Sequence, residues 1–196
     1  MSIKISGRNI GIDHEPFIIA EMSGNHGNNL DKAIALVDAA ASSGAHALKV
    51  QTATPDGLTL ELETEDFYIN DPKSLWHGNN LYNLYKESVM PWEWHKKIFE
   101  RCKQHGLIGF SSPFEINAVD FLEELDVPCY KIASFELVDL PLIKRVAMTG
   151  KPIIMSTGMA NIGEIQDAIS VSREVGNNQI ILLKCTSSYP ASPIDS

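Results

Sequence analysis

The amino-acid sequence predicts an α/β fold: a (β/α)8 TIM-type barrel, incomplete at about six of its eight strands, preceded by an N-terminal β-hairpin. Three observations predict it. Short β-rich runs alternate with amphipathic helical stretches along almost the whole chain, the order that gives parallel strands joined by right-handed crossovers. The strand runs are mostly apolar, as in a sheet covered by helices. Polar groups recur at the C-terminal end of each run, where barrel enzymes build their sites. An open doubly wound sheet is the competing architecture. No Gly-x-Gly-x-x-Gly follows the first strand, which weakens its dinucleotide-binding version.

Residues 1–14 read as the hairpin, placed to plug the bottom of the barrel, and residues 15–196 as the barrel itself. Phe17-Ile18-Ile19-Ala20-Glu21 is the first strand. Leu30, Ile34, Val37 and Ala41 line one helix face, Gly44 ends that helix, and Ala47-Leu48-Lys49-Val50-Gln51 is the second strand. Residues 53–90 are too long for an ordinary connection. They read either as a lid, with Trp76, Tyr82 and Tyr85 suited to packing on a ligand, or as a structured excursion over the barrel end.

Pro91 fits the first turn of the next helix and Gly106 its end, before Leu107-Ile108-Gly109-Phe110-Ser111. Ala118, Phe121, Leu122 and Leu125 mark a helix leading to Pro128-Cys129-Tyr130-Lys131-Ile132-Ala133. Asp139-Leu140-Pro141 starts a helix that Gly150 stops, and Pro152-Ile153-Ile154-Met155-Ser156 is the fifth strand. Asn161 with Glu164 forms a capping-box pair, Gly176 closes that helix, and Gln179-Ile180-Ile181-Leu182-Leu183-Lys184 is the sixth strand. A complete barrel takes about 250 residues. The 196 residues therefore read as part of a longer native unit.

Composition narrows the function. Hydrophobic residues make up 44% and charged residues 21%, enough apolar material for a core. Lys and Arg number 16 against 25 Asp and Glu, a net charge of −9 that argues against nucleic acid or an anionic membrane as partner. No apolar run approaches the roughly 20 residues of a membrane span, and no signal-peptide stretch opens the chain. Cys102, Cys129 and Cys185 lie far apart without Cys-x-x-Cys spacing, which reads as core thiols in a reducing cytoplasm.

Glu21, Lys49, Gln51, Ser112, Lys131, Ser134, Glu136, Ser156 and Lys184 form a polar ring at the strand ends. Period-2 alternation places Glu21 with Phe17 and Ile19, and Lys49 and Gln51 with Ala47, so inward faces would bring Glu21 and Lys49 into one pocket. Buried lysines need anions, and three at equivalent strand ends suggest an anionic ligand, with serine hydroxyls as further donors. Two chemistries fit. The lysines act as fixed charges for a phosphorylated acid while a carboxylate handles protons or water, or one desolvated Lys forms a Schiff base with a carbonyl substrate. Asn25-His26 could serve a metal, a substrate hydroxyl or a local loop hydrogen bond. His46, His77, His95 and His105 form no metal-binding spacing.

Six ordered motifs carry a resemblance. Glu21-Met22-Ser23-Gly24-Asn25-His26, Leu48-Lys49-Val50-Gln51-Thr52, Gly109-Phe110-Ser111-Ser112-Pro113-Phe114 and Tyr130-Lys131-Ile132-Ala133-Ser134-Phe135-Glu136 resemble the sialic-acid synthase family. So do Ser156-Thr157-Gly158-Met159-Ala160 and Leu183-Lys184-Cys185-Thr186-Ser187-Ser188-Tyr189-Pro190. Leu75-Trp76-His77-Gly78, Pro91-Trp92-Glu93-Trp94-His95 and the Lys184-Cys185 pair are most similar to its pseudaminate-forming branch.

The resemblance implies condensation of phosphoenolpyruvate with an open-chain 2,4-diacetamido-2,4,6-trideoxy-altrose, releasing phosphate. The N-acetylneuraminate or legionaminate branch is the alternative, and a non-catalytic, truncated anion-binding barrel is the alternative from another class. By motif match, Lys49, Ser112, Lys131, Ser134, Ser156 and Ser187 would hold phosphoenolpyruvate, and Gln51 and Tyr189 would position substrate. Glu21 would contact the sugar or orient water, and Glu136 would face developing positive charge. The family also implies a divalent metal, Mn or Mg, bound by histidines that follow in relatives. It further implies a C-terminal antifreeze-like domain and a homodimer; both that domain and the metal ligands are absent from these residues.

Overall fold

The computed structural model describes residues 2–187 and residue 194. β1 (Ile3–Ile5) and β2 (Arg8–Ile10) pair antiparallel. The connecting Ser6 and Gly7 both have positive φ, 45° and 82°, the two-residue turn whose twist matches a hairpin. Ile5 is fully buried and, with Ile10, packs on Ala47, Phe110, Cys129 and Ile154, at or just before the starts of the barrel strands. The hairpin therefore closes the bottom of the barrel, as its position in the sequence predicts.

Six parallel strands follow in sequence order: β3 (Ile19–Glu21), β4 (Ala47–Thr52), β5 (Ile108–Pro113), β6 (Tyr130–Ile132), β7 (Ile153–Ser156) and β8 (Ile180–Leu183). They form a half-barrel in which, among the described residues, β3 and β8 are open edges. Helix α1 (Leu30–Ser42) connects β3 to β4. After the excursion that holds α2 (Pro55–Leu58) and α3 (Leu81–Ser88), α4 (Trp94–Gln104) leads into β5. Helices α5 (Ile116–Glu124), α6 (Leu140–Ala147) and α7 (Ile162–Glu174) make the remaining crossovers. No helix among the described residues is long and apolar enough to cross a membrane.

Strand alternation separates two environments. Leu48 and Val50 face outward onto Val37, Ile98 and Cys102, while Tyr130, Ile132 and Met155 face Leu122, Leu142 and Val146. Each such fully buried aliphatic side chain contributes roughly 1.5–3 kcal/mol. The opposite parity carries Ala47, Lys49 and Gln51 on β4 and Lys131 on β6 to the inside.

Local signals place the helix starts. Asn29 accepts from Lys32 N at the start of α1, Asp139 accepts from Leu142 N at α6, and Asn161 with Glu164 closes the predicted capping box of α7. Two expectations need correction. The first strand begins at Ile19 rather than Phe17, because the Ile18 amide donates to His46 Nδ1 (2.9 Å) instead of a strand partner. Pro91 lies ahead of α4, not in its first turn: its carbonyl accepts from Trp94 N (3.1 Å), and Glu93 is the N-cap.

The excursion is structured. Trp92 Nε1 donates to Ala53 O (3.0 Å), tying its two ends together, and Asn80 caps α3 while donating to Leu62 O (2.9 Å). Tyr85 faces the cleft described below. Tyr82 instead donates to Asp56 Oδ1 (3.2 Å), and Trp76 does not line the cleft.

Candidate active site

The site floor is built from inward positions on adjacent strands. Glu21 and Lys49 are register partners on β3 and β4, and Gln51 pairs with Ser112 across β4 and β5. Lys49 Nζ makes an ion pair with Glu21 Oε2 and donates to Ser112 Oγ (3.3 Å). The other Glu21 oxygen accepts from the amide (3.0 Å) and hydroxyl (3.1 Å) of Ser23, whose left-handed φ of 47° turns both donors back onto the carboxylate. Glu21 thus holds Lys49 across the strand pair.

Lys131 lies deeper, 8% exposed, and donates to Ser156 Oγ (2.6 Å) and Ile132 O (2.7 Å). An ammonium has three N–H donors. Two here meet neutral oxygens, leaving one without a protein acceptor among the described residues. Burial, reinforced by the nearby Lys49 charge, lowers its pKa to about 8. Two lysines, each beside a serine hydroxyl, make a cationic floor that an oxyanion would complete.

Next to the floor in sequence, at Gln51 on β4 and Glu136 after β6, opens a cleft of about 360 Å³, lined among others by His26, Gln51, Tyr85, Met90, Phe114 and Glu136; Lys49 and Lys131 are not among its lining residues. Glu136 stands on the 3₁₀ turn Phe135–Val138 that follows β6, a turn anchored by the buried Leu137. Its Oε2 is buried with no hydrogen-bond partner among the described residues. Burial pushes its carboxyl above the ordinary range, with Lys131 pulling the other way. A carboxyl with one oxygen unpartnered among the described residues, lining a cleft, is a group available to substrate.

The remaining expected site residues divide. Ser134 precedes the same turn without capping it. Ser187 packs on Gly158: a Cβ there would collide with the Ser187 hydroxyl and come 3.0 Å from Cys185 O, so only glycine allows this approach. Lys184 departs from expectation. It lies one residue past β8, out of phase with the interior residue Ile181, and is exposed, so two lysines rather than three meet. Tyr189 lies outside the described residues.

One network was not foreseen from the sequence. His95 is fully buried, and burial lowers its pKa to about 4, so the ring is neutral. Its Nδ1–H donates to Trp92 O (3.0 Å), so Nε2 accepts from Thr52 Oγ1 (2.7 Å), which itself accepts from Ser111 Oγ (2.6 Å). Thr52 and Ser111 adjoin Gln51 and Ser112 on the outward face. The network therefore clamps the strand ends that present the site. Its residues are scattered in sequence, and the polar signal at Thr52 and Ser111 becomes legible only once outward parity is known.

Comparisons with known proteins agree with this architecture. The model described as the NeuB family matches residues 36–196. The chain is 48% identical over 176 residues to a pseudaminic acid synthase of Helicobacter pylori, covering 90% of this chain and 51% of that protein. It is 43% identical over 182 residues to one from Campylobacter jejuni, covering 93% and 52%. The crystal structure of a Leptospira borgpetersenii N-acetylneuraminic acid synthetase in complex with citrate superposes with a TM-score of 0.85 at 29% identity, covering 100% of this chain and 62% of that one. The chain spans about half the length of the curated relatives it matches. With most of its length matched by the family model and its half-barrel shared with a solved synthetase, the chain belongs to the NeuB family.

Proposed function

We propose that this chain forms the phosphoenolpyruvate-binding part of a nonulosonic acid synthase, which joins phosphoenolpyruvate to an open-chain amino sugar and releases phosphate. The observation that carries this is the cationic floor: Lys131 beside Ser156, with one N–H that has no acceptor among the described residues, and Lys49 beside Ser112. The pseudaminate branch is the favoured reading because the similarity is to pseudaminic acid synthases, at 48% and 43% identity. The citrate complex of the structural relative supports a carboxylate-binding fold.

In this reading Lys49 and Lys131 neutralise the phosphate and carboxylate of phosphoenolpyruvate, and Ser112, Ser134, Ser156 and Ser187 donate hydrogen bonds to their oxygens. The enol carbon bonds to the sugar aldehyde carbon. Positive charge then develops at the carbon bearing the phosphate ester, facing Glu136. Water adds there, one of its protons passing to the former aldehyde oxygen to make a hydroxyl; the new C–OH then becomes the ketone as the C–O bond to phosphate breaks, and its proton leaves with phosphate. Glu21 orients the water or the sugar, and Gln51 and Tyr189 position substrate. Among the described residues no three His, Cys, Asp or Glu side chains converge to hold a metal.

One observation favours a second reading. A lysine with pKa lowered to about 8 is a candidate Schiff-base amine. Borohydride reduction of the full-length protein with a keto acid decides between them: the synthase reading expects no covalent adduct, and an adduct on Lys131 would replace it. The synthase reading itself is tested by phosphate release from phosphoenolpyruvate that requires 2,4-diacetamido-2,4,6-trideoxy-altrose. A requirement for N-acetylmannosamine or the legionaminate precursor would move the assignment to those branches.

A further inference from the structure

His26 ends the 3₁₀ turn Ser23–His26 and is 1% exposed, with the Trp94 ring packed edge-to-face against it at 5.7 Å. Its Nδ1 accepts from the amide of Asn28 (3.1 Å). A backbone N–H can only donate, so Nδ1 carries the lone pair. Burial, with the nearby Lys32 charge second, lowers the pKa of the ring, which is therefore neutral near pH 7. A neutral imidazole has one N–H, and with Nδ1 accepting it must be Nε2–H.

That Nε2–H has no acceptor among the described residues, yet the ring lines the cleft. It also cannot ligate a metal in this tautomer, because its lone pair is not available. The same cleft has an apolar share of lining, Leu58, Val89, Met90 and Phe114, beside the polar Ser23, Gln51, Tyr85, Ser88 and Glu136. A neutral N–H donor in a cleft that also offers apolar lining suits an uncharged acceptor attached to a hydrocarbon group. The phosphate and carboxylate belong instead to the lysine floor, on the same strands as Gln51 and Ser112.

We infer that His26 is a specificity-determining residue whose Nε2–H donates to the carbonyl oxygen of an N-acyl group on the sugar, while the acyl methyl packs on the apolar lining of the cleft. The inference rests on the synthase reading for the identity of the ligand as a sugar, but the donor and the apolar lining are features of the cleft itself.

The test uses the full-length protein and two probes, N-acetylmannosamine and mannose, which differ at C2 by the acyl group and its nitrogen. Binding is measured by calorimetry for wild type, His26→Phe and His26→Gln. Wild type should prefer the N-acetyl sugar by about tenfold, the scale of one buried hydrogen bond. His26→Phe should lose that preference with phosphoenolpyruvate affinity changed less than about twofold, and His26→Gln, which retains an N–H donor, should recover part of it. Loss of the preference in His26→Phe together with phosphoenolpyruvate binding reports local recognition rather than unfolding. A His26→Phe protein that keeps the preference, or a wild type that has none, overturns the inference. Failure of phosphate release with the preference intact would overturn the synthase reading and leave the His26 assignment standing.

Discussion

Lys131 Nζ and Ser156 Oγ meet at 2.6 Å across the pairing of β6 and β7, with Lys131 nearly buried and, among the described residues, no carboxylate hydrogen-bonded to it. The side chain is held in place, largely buried and, among the described residues, short of one acceptor. An arriving oxyanion would supply both the missing acceptor and the missing charge.

This makes anion affinity pH-dependent. With its pKa lowered to about 8, Lys131 loses its proton as pH rises through that value, and affinity for phosphoenolpyruvate should fall. Titration of the full-length protein between pH 6.5 and 9.5 should give about tenfold weaker binding per unit above pH 8, if this single proton controls it. Lys131→Met should bind at least about tenfold more weakly at pH 7 and lose the pH dependence. The folded state holds fewer protons than the unfolded chain between about 8 and 10.5, so this group makes stability rise with pH in that window.

Glu136 should trade stability for activity. Its buried Oε2, without a partner among the described residues, and its raised pKa mean that the ionised form is costly in the fold. Glu136→Gln removes the charge with little change in shape and should raise stability by about 1 kcal/mol, read by urea denaturation, while lowering turnover by about a hundredfold. Unchanged turnover would remove Glu136 from the chemistry.

The His95 clamp predicts acid sensitivity. The unfolded imidazole takes up a proton near 6.5 and the folded one only near 4, so stability is lost as pH falls through that interval. The loss amounts to about 3 kcal/mol across the interval. In urea melts between pH 7 and 4.5, His95→Gln should flatten this slope. Thr52→Val, which leaves His95 Nε2 without its donor, should cost about 1–3 kcal/mol at pH 7.

Gly158→Ala should weaken the site without breaking the barrel. The new methyl would meet the Ser187 hydroxyl and the Cys185 backbone, displacing the segment that brings Ser187 against Gly158. Phosphoenolpyruvate binding should weaken several-fold, on the scale of one hydrogen bond, with the melting temperature of the core little changed.

The sequence made much of this legible. Strand order, the α6 and α7 caps and the pairing of Glu21 with Lys49 follow from apolar runs, local capping chemistry and period-2 alternation, signals contained within a few residues. Lys184 departs from the strand-end pattern because the same alternation, counted from Ile181, puts it out of phase, and strand-end position alone does not reveal phase. The start of β3 shifted because His46, a residue distant in sequence, takes the Ile18 amide. The tautomer of His26 depends on the Asn28 amide, a loop geometry set by left-handed φ values rather than by any pattern of residue types.

The most direct test of the central claim is phosphate release from phosphoenolpyruvate by the full-length protein, measured with and without 2,4-diacetamido-2,4,6-trideoxy-altrose, for wild type and Lys131→Met. The account predicts sugar-dependent release by wild type and its loss, together with weakened phosphoenolpyruvate binding, in the variant. Release that proceeds without an amino sugar, or that survives Lys131→Met undiminished, would contradict it.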